Sequence, residues 1–211
     1  MYNDILQDRK EAGMLLSEKL EKYQNSDTII LAVPRGGVPV GYEIAKNLNL
    51  PLDIILSKKI GHPSNKEFAV GAVSLDSIII DELLDIPMDY IEHEIKHLRE
   101  SLQDQYNLYM DNRKPTDVKG KIVIIVDDGI ATGNTLLASI EMLRKNKPKK
   151  IVVAVPVVPF DTVKVFQKKA DEFVYLIASK NFRGVGGFYE DFDQVNDGEV
   201  IRMLGVANLI K

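Results

Sequence analysis

Lys121–Thr135, KIVIIVDDGIATGNT, is the stretch whose reading decides the fold. Ile122 to Val126 is an unbroken apolar, β-branched run, the pattern of a strand buried on both faces of a parallel sheet. Asp127 and Asp128 stand at its carboxyl end. A loop of small and hydroxyl-bearing residues follows, and LLASIEMLRK (136–145) then carries helical apolar spacing. The order is strand, acidic pair, small-residue loop, helix.

Each part has a chemical use. Amides at a helix N-terminus point outward unpaired, and the helix dipole favours an anion there. Gly129 and Gly133 let the backbone come close to a phosphate, and Thr132 and Thr135 add hydroxyl donors. Two adjacent carboxylates are wrong for phosphate but right for sugar hydroxyls or Mg²⁺. A phosphate site beside a diol site describes a sugar phosphate. The Gly-Lys-Ser/Thr ending of a Walker A loop is absent.

A second unit of the same kind lies upstream. Thr28 to Val33, TIILAV, reads as a buried strand, and GVPVGYEIAKNL reads as a helix with Pro39 in its first turn. Between them stands Pro34-Arg35-Gly36-Gly37. Ligands of open parallel sheets bind beyond the carboxyl ends of the strands, so this loop and the acidic-pair loop can face one pocket. Glycines give close backbone approach, and Arg35 offers a charge-matched fork for phosphate oxygens.

The rest of the chain fits an α/β domain around these units. Residues 4 to 24 read as an amphipathic helix. Leu52 to Leu56 reads as a strand. IGHPSNKEFAVGAVS follows, and its turn-forming residues make a helix or a rigid strand improbable. With Lys58 and Lys59 in front of it and His62, Lys66 and Glu67 within it, this is a loop dense in ionisable groups. Residues 69 to 74 and 77 to 80 read as short strands, and 88 to 110 as a long polar helix. IVVAVPVV (151–158) and EFVYLIA (172–178) complete the buried strands, with a short helix between them that Asp161 could cap. In the tail, Phe182, Phe188, Tyr189 and Phe192 are interleaved with glycines and acids. Such aromatics could stack on a planar ring, or simply strap the sheet. Residues 197 to 204 read as a closing helix.

Composition narrows the function classes. The 211 residues are 45% hydrophobic and 27% charged, with a net charge of −4 and no cysteine. That balance argues against a general nucleic-acid binder and rules out disulfides and Cys-ligated metal. The polar N-terminus reads as no signal peptide, and no apolar run approaches a membrane span, so a soluble cytoplasmic protein is expected. His93 and His97 are spaced i, i+4 but lack the HExxH order and a third ligand, so an exposed helical face is the expectation for them.

VDDGIATGNT resembles the phosphoribosyl pyrophosphate (PRPP) motif of the type I phosphoribosyltransferases. PRGG looks like the pyrophosphate loop of that family, which implies a strained or cis peptide within it. KKIGHPSNKEFAVGAV and FRGVGGFYEDF are similar to a bacterial and archaeal group of these proteins with no firmly assigned acceptor. The resemblance implies one domain over 1–211 with a doubly wound parallel sheet. Its core covers about 28–178, a flexible loop about 58–70, and a hood over the acceptor comes from 1–24 and 180–211.

It also implies roles for named residues. Asp127 and Asp128 would hold the ribose hydroxyls. Gly129, Ile130, Ala131, Thr132, Gly133, Asn134 and Thr135 would cradle the 5-phosphate. Arg35, Gly36 and Gly37 would take the pyrophosphate, with Lys58 or Lys59 countering its charge. Mg²⁺ would accompany PRPP, with no direct protein ligand assigned. The product would be a phosphoribosylated nitrogenous small molecule, and a homodimer is compatible with the family. The alternative reading is a PRPP-sensing regulator that performs no chemistry. His62 and the tail aromatics stay open, as substrate contacts or as surface and packing residues.

Overall fold

The computed structural model describes residues 5–81, 83–84 and 86–207. The expected hood segments also cover 1–4 and 208–211, which lie outside the described residues. In chain order the elements are α1 (Arg9–Lys19), β1 (Thr28–Ala32), α2 (Gly37–Leu48), β2 (Leu52–Ile54), β3 (Ser57–His62), β4 (Asn65–Ser74), β5 (Ile78–Ile80), α3 (Met88–Met110), β6 (Ile122–Val126), α4 (Asn134–Lys145), β7 (Lys150–Pro159), α5 (Phe160–Lys169), β8 (Glu172–Ser179) and α6 (Asp197–Ala207).

Five strands form a parallel sheet in the order β2-β1-β6-β7-β8. Its apolar runs are continuous because both faces are covered. Alternate residues go to opposite sides. Ile30, Ala32, Ile124, Val126, Val152 and Ala154 pack with residues of α1, α2, α3 and α6. Ile29, Leu31, Val123, Ile125, Ile151 and Val153 pack with α4 and α5. That two-sided burial is the doubly wound arrangement expected from the sequence.

The segment expected to be an irregular loop is instead ordered as strands. β3 and β4 pair antiparallel from Ser57↔Ser74 to His62↔Asn65, and β5 extends them into a second, three-stranded sheet. The turn-forming residues are concentrated where the chain reverses, at Pro63 and Ser64. Gly61 sits at a register shift, where a Cβ would stand 2.5 Å from the Lys66 carbonyl. The flanking residues are left free to pair. Residues 63–69 are exposed, so the tip projects into solvent. The arm is braced by α3, where Tyr90 donates to the Gly61 carbonyl at 2.6 Å and Lys66 pairs with Glu94 at 2.8 Å.

The first helix is shorter than residues 4 to 24. Asp8 caps α1 by accepting from the Glu11 amide at 2.7 Å. Ahead of the cap, Leu6 joins the C-terminal tail. Its amide donates to the Phe188 carbonyl and its carbonyl accepts from Glu190, both at 2.8 Å. After α1 the chain makes a 3₁₀ turn at Glu21–Tyr23 and reverses at Asn25 (φ 54°) into β1. Asp161 lies in the first turn of α5 but makes no capping bond there, because Pro159 occupies the cap position. No helix among the described residues is long and apolar enough to cross a membrane.

Candidate functional site

Two loops meet at the carboxyl ends of the neighbouring central strands β1 and β6. After β1, Val33 donates to the Val126 carbonyl at 2.8 Å, which carries the pairing to the last residue of β6. The Pro34–Arg35 peptide bond is cis, and Gly36 occupies the cap position of α2. Both glycines are required by what lies beneath them. A Cβ on Gly37 would stand 2.7 Å from the Val126 carbonyl and 2.8 Å from the Cα of Asp127. A Cβ on Gly36 would stand 2.0 Å from Oδ2 of Asp128. The PRGG loop therefore lies directly on the acidic pair.

The carboxylates differ in their surroundings. Oδ1 of Asp127 accepts from the amide of Asp128 at 2.9 Å. Burial, and then the charge of Asp128, push its titration well above the usual carboxylate range. Asp128 is also pushed up by burial, against the opposing pull of Arg9. Arg9 Nε donates to Oδ2 of Asp128 at 2.9 Å, and its Nη2 stands 2.8 Å from the same oxygen. The hydroxyl of Tyr189 donates to the Asp128 main-chain carbonyl at 2.7 Å. Burial pushes that hydroxyl's titration far up, so it stays protonated as a donor.

The small-residue loop leads into the N-terminus of α4. Gly133 takes the left-handed cap position at φ 77°, a conformation that favours glycine. No side chain caps this helix, and its first turn carries no acid. Ala131, Thr132, Asn134 and Thr135 line the exposed side of this loop and helix start. This terminus is chemically suited to an anion. Ile130 departs from the expected cradle: it is 1% exposed, and its amide is committed to the Val157 carbonyl at 2.8 Å. It anchors the loop and has no donor left for a phosphate. Gly129 lies under Val185 of the C-terminal tail, whose side chain would be 2.5 Å from an added Cβ.

Arg35 faces a cavity of about 590 Å³ that Pro34, Gln105, Tyr109 and Asp197 also line. Its Nη1 is 3.4 Å from Oδ1 of Asp197, an oxygen that also accepts from the Tyr109 hydroxyl at 2.6 Å. A second cavity, about 330 Å³, joins Arg35 and Gly36 to Arg9, Asp128, Phe192 and Gln194. A more apolar cavity of about 510 Å³ lies elsewhere, against Asp53, Tyr106 and the far end of α4.

The lysines stand apart from this cluster. Lys58 donates to the Ser101 hydroxyl of α3. Lys59 pairs with Glu67 across the arm at 2.8 Å, both side chains largely exposed. Neither has a hydrogen bond or ion pair to Asp127, Asp128 or Arg35. His62 accepts the Ser64 amide at its Nδ1, 3.1 Å away, and helps form the turn. His93 is exposed on α3, as is His97, and no group of three or more metal-ligating side chains occurs among the described residues.

The tail aromatics are occupied by packing. Phe182 stacks on Phe188 at 5.6 Å and Tyr189 on Phe192 at 5.0 Å, while Phe192 also carries the Arg9 guanidinium at 3.8 Å. Phe192 also lines the cavity beside Arg35 and Asp128. Sequence reasoning missed Arg9, Tyr109 and Asp197. Arg9 meets Asp128 across 119 residues of chain, and no local pattern signals such a pairing.

Comparison with known proteins shows what the chain is similar to. A family model described as the phosphoribosyl transferase domain matches residues 1–72 and 68–193. A Mycobacterium tuberculosis (strain ATCC 25618 / H37Rv) protein named "Putative phosphoribosyl transferase" is 38% identical over 212 residues, covering 97% of this chain and 47% of the relative. The chain thus spans about half the length of that curated relative. An adenine phosphoribosyltransferase of Mycoplasmopsis synoviae (strain 53) is 30% identical over 154 residues, 72% of each chain. The crystal structure of TT1426 from Thermus thermophilus superposes with a TM-score of 0.84 at 35% identity, covering 95% of this chain and 97% of that one.

Proposed function

Because the chain belongs to the phosphoribosyl transferase domain family and has the type I fold, we propose that it transfers the 5-phosphoribosyl group of PRPP to a nitrogenous small molecule and releases pyrophosphate. The observation that carries this reading is the contact between the PRGG loop and the acidic pair, made at adjacent strand ends beside the uncapped N-terminus of α4. The nearness of an anion-suited loop, a diol-suited carboxylate pair and a second glycine-rich loop with an arginine supports a 5-phosphate, a ribose and a pyrophosphate as their respective ligands.

The 5-phosphate would take the free amides and hydroxyls of 131–135, with Gly129 and Gly133 shaping the turn. Asp127 and Asp128 would accept the ribose hydroxyls. The same carboxylates would offset positive charge on the sugar as the bond at C1 breaks. Pyrophosphate would lie against Gly36, Gly37 and Arg35. Bound Mg²⁺ would lower the charge of the pyrophosphate. Asp127 and Asp128 are assigned to the ribose hydroxyls, so the ion is assigned to the ligand's own oxygens and water. The β3–β4 arm would fold over the site to keep water from the reacting carbon. We place the protein in the cytoplasm, where PRPP is made and used.

Calorimetric titration with PRPP, with and without Mg²⁺, tests this reading. Mg²⁺-dependent binding is expected in the wild type and its loss in a folded Asp127→Asn/Asp128→Asn variant. Unchanged affinity in the variant would remove the pair from ribose binding.

A further inference from the structure

Arg9 is held more completely than an ordinary surface arginine. Its side chain is 12% exposed and that of Asp128 15%. Nε and Nη2 both address Oδ2 of Asp128. Nη1 donates to the main-chain carbonyl of Asp193 at 2.9 Å, and the Phe192 ring lies 3.8 Å from the guanidinium carbon. The position of Arg9 is set from two directions, by α1 and by the C-terminal strap. The strap grips Asp128 a second time through the Tyr189 hydroxyl. It is itself zipped to the N-terminal segment at Leu6, Gln7, Glu190 and Asp191.

This attachment has a chemical direction. Two guanidinium N–H groups on a single oxygen pin the place of Oδ2, and with Cβ held by the main chain that sets the rotation of the carboxylate and so the place of Oδ1. Oδ1 of Asp128 receives neither donor. The Asp127 side chain is hydrogen-bonded to that of Asp128, and without Arg9 this acidic neighbour would act on Asp128 with no opposing cation from α1 or the strap. The geometry points to Arg9 as a positioning residue for the sugar: it holds Asp128 by Oδ2 so that Oδ1 is presented to a ribose hydroxyl. The two chain ends that form the strap thereby take part in ribose binding, and do more than cover the site. This inference rests on the assignment of Asp127 and Asp128 to the ribose.

The test separates ligands that carry the diol from one that lacks it. Affinities of wild type and Arg9→Met are measured by calorimetry for PRPP, ribose 5-phosphate and inorganic pyrophosphate. PRPP and ribose 5-phosphate are expected to weaken by about tenfold or more, with pyrophosphate unchanged. A purely structural role would weaken all three as the loops loosen. A direct contact of Arg9 with the pyrophosphate would weaken PRPP and pyrophosphate and spare ribose 5-phosphate. Either pattern, or no change at all, overturns the inference. Should Arg9→Met fail to fold, Arg9→Lys, which keeps the charge but not the planar fork, is expected to weaken the same two ligands by about threefold and to spare pyrophosphate. A wild type that binds none of the three would refute the ribose assignment itself, an outcome distinct from any pattern among the variants.

Discussion

Gly36 and Asp128 touch so closely that the single hydrogen facing the carboxylate is all the space permits: a Cβ on Gly36 would lie 2.0 Å from Oδ2. That oxygen is also the one Arg9 holds, so it has no free direction in which to retreat. Gly36→Ala is therefore expected to displace Asp128 or lift the PRGG loop. Overpacking of this kind costs about 1–3 kcal/mol. PRPP affinity should fall by more than that stability loss alone would suggest, because both the diol and the pyrophosphate contacts shift. Thermal melting together with calorimetry checks this. A variant with normal PRPP affinity would mean the loop and Asp128 move independently.

Asp127 should be a site where stability and ligand binding oppose each other. Its folded-state titration lies above the unfolded value, so the native state binds more protons than the unfolded one between the two. Stability contributed by this group therefore falls as pH rises through that window. Asp127→Asn keeps an acceptor for the Asp128 amide while removing the buried charge. The variant is expected to melt higher than wild type at neutral pH, by about 2–4 °C for each kcal/mol gained. The gain should shrink on acidification toward the window's lower end, while PRPP binding is lost. A variant that melts lower at neutral pH would show that the charge is better compensated than Arg9 alone can explain.

Local patterns explain why the core was legible from the sequence. TIILAV and KIVIIV are continuous apolar runs because the sheet is covered on both faces, and continuity is visible in a string of letters. PRGG and DDGIATGNT were readable for a similar reason, since each is a strand end, a turn and a helix start within a few residues. The arm differs from the sequence expectation because Gly61, Pro63, Ser64 and Asn65, which disfavour a continuous strand, sit where two strands bulge, reverse and begin. The antiparallel partner of each residue, such as Lys59 for Ala72, is set by a tertiary pairing. Arg9 was hidden for the strongest version of this reason. Its partners Asp128, Phe192 and Asp193 come from distant parts of the chain and converge only after the two ends are zipped together.

A third prediction concerns the amino end of the sheet, opposite the loops. Glu172 accepts from Tyr23 and Lys150 at 2.7 Å and pairs with Lys22 at 2.8 Å. Burial alone would raise its titration, but the hydrogen bonds from Lys150, Lys22 and Tyr23 outweigh it and hold the carboxyl at about 2. The folded value is depressed from 4.5, so the unfolded state binds more protons between the two. The stabilisation is present above about pH 4.5 and is lost as pH falls toward 2. Wild type should melt higher than Glu172→Gln at neutral pH, and the gap should close across that interval. A gap that persists unchanged to the acid limit would assign the stabilisation to packing of the side chain and not to its charge. PRPP affinity should be the same in both proteins, since the cluster lies at the far end of β7 and β8 from the loops.

The last prediction separates binding from turnover in the arm. Lys58 and Lys59 are committed within the arm and to α3, to Ser101 and Glu67, and neither reaches the acidic pair. If the arm closes over bound PRPP, these contacts are exchanged for the departing pyrophosphate, and the benefit appears as charge develops on the leaving group. The Lys58→Ala/Lys59→Ala variant should bind PRPP within about threefold of wild type, yet release pyrophosphate about 100-fold more slowly with ammonia as the acceptor. Stability should change little, because the exposed Lys59–Glu67 pair is of a kind worth at most about 1 kcal/mol. The single variants then divide the effect. Lys58 lies near the base of the arm, whereas Lys59 points from the opposite face toward Glu67, so loss confined to one of them identifies the face that turns to the ligand. Wild-type rates in the double variant would leave closure to other residues of the tip.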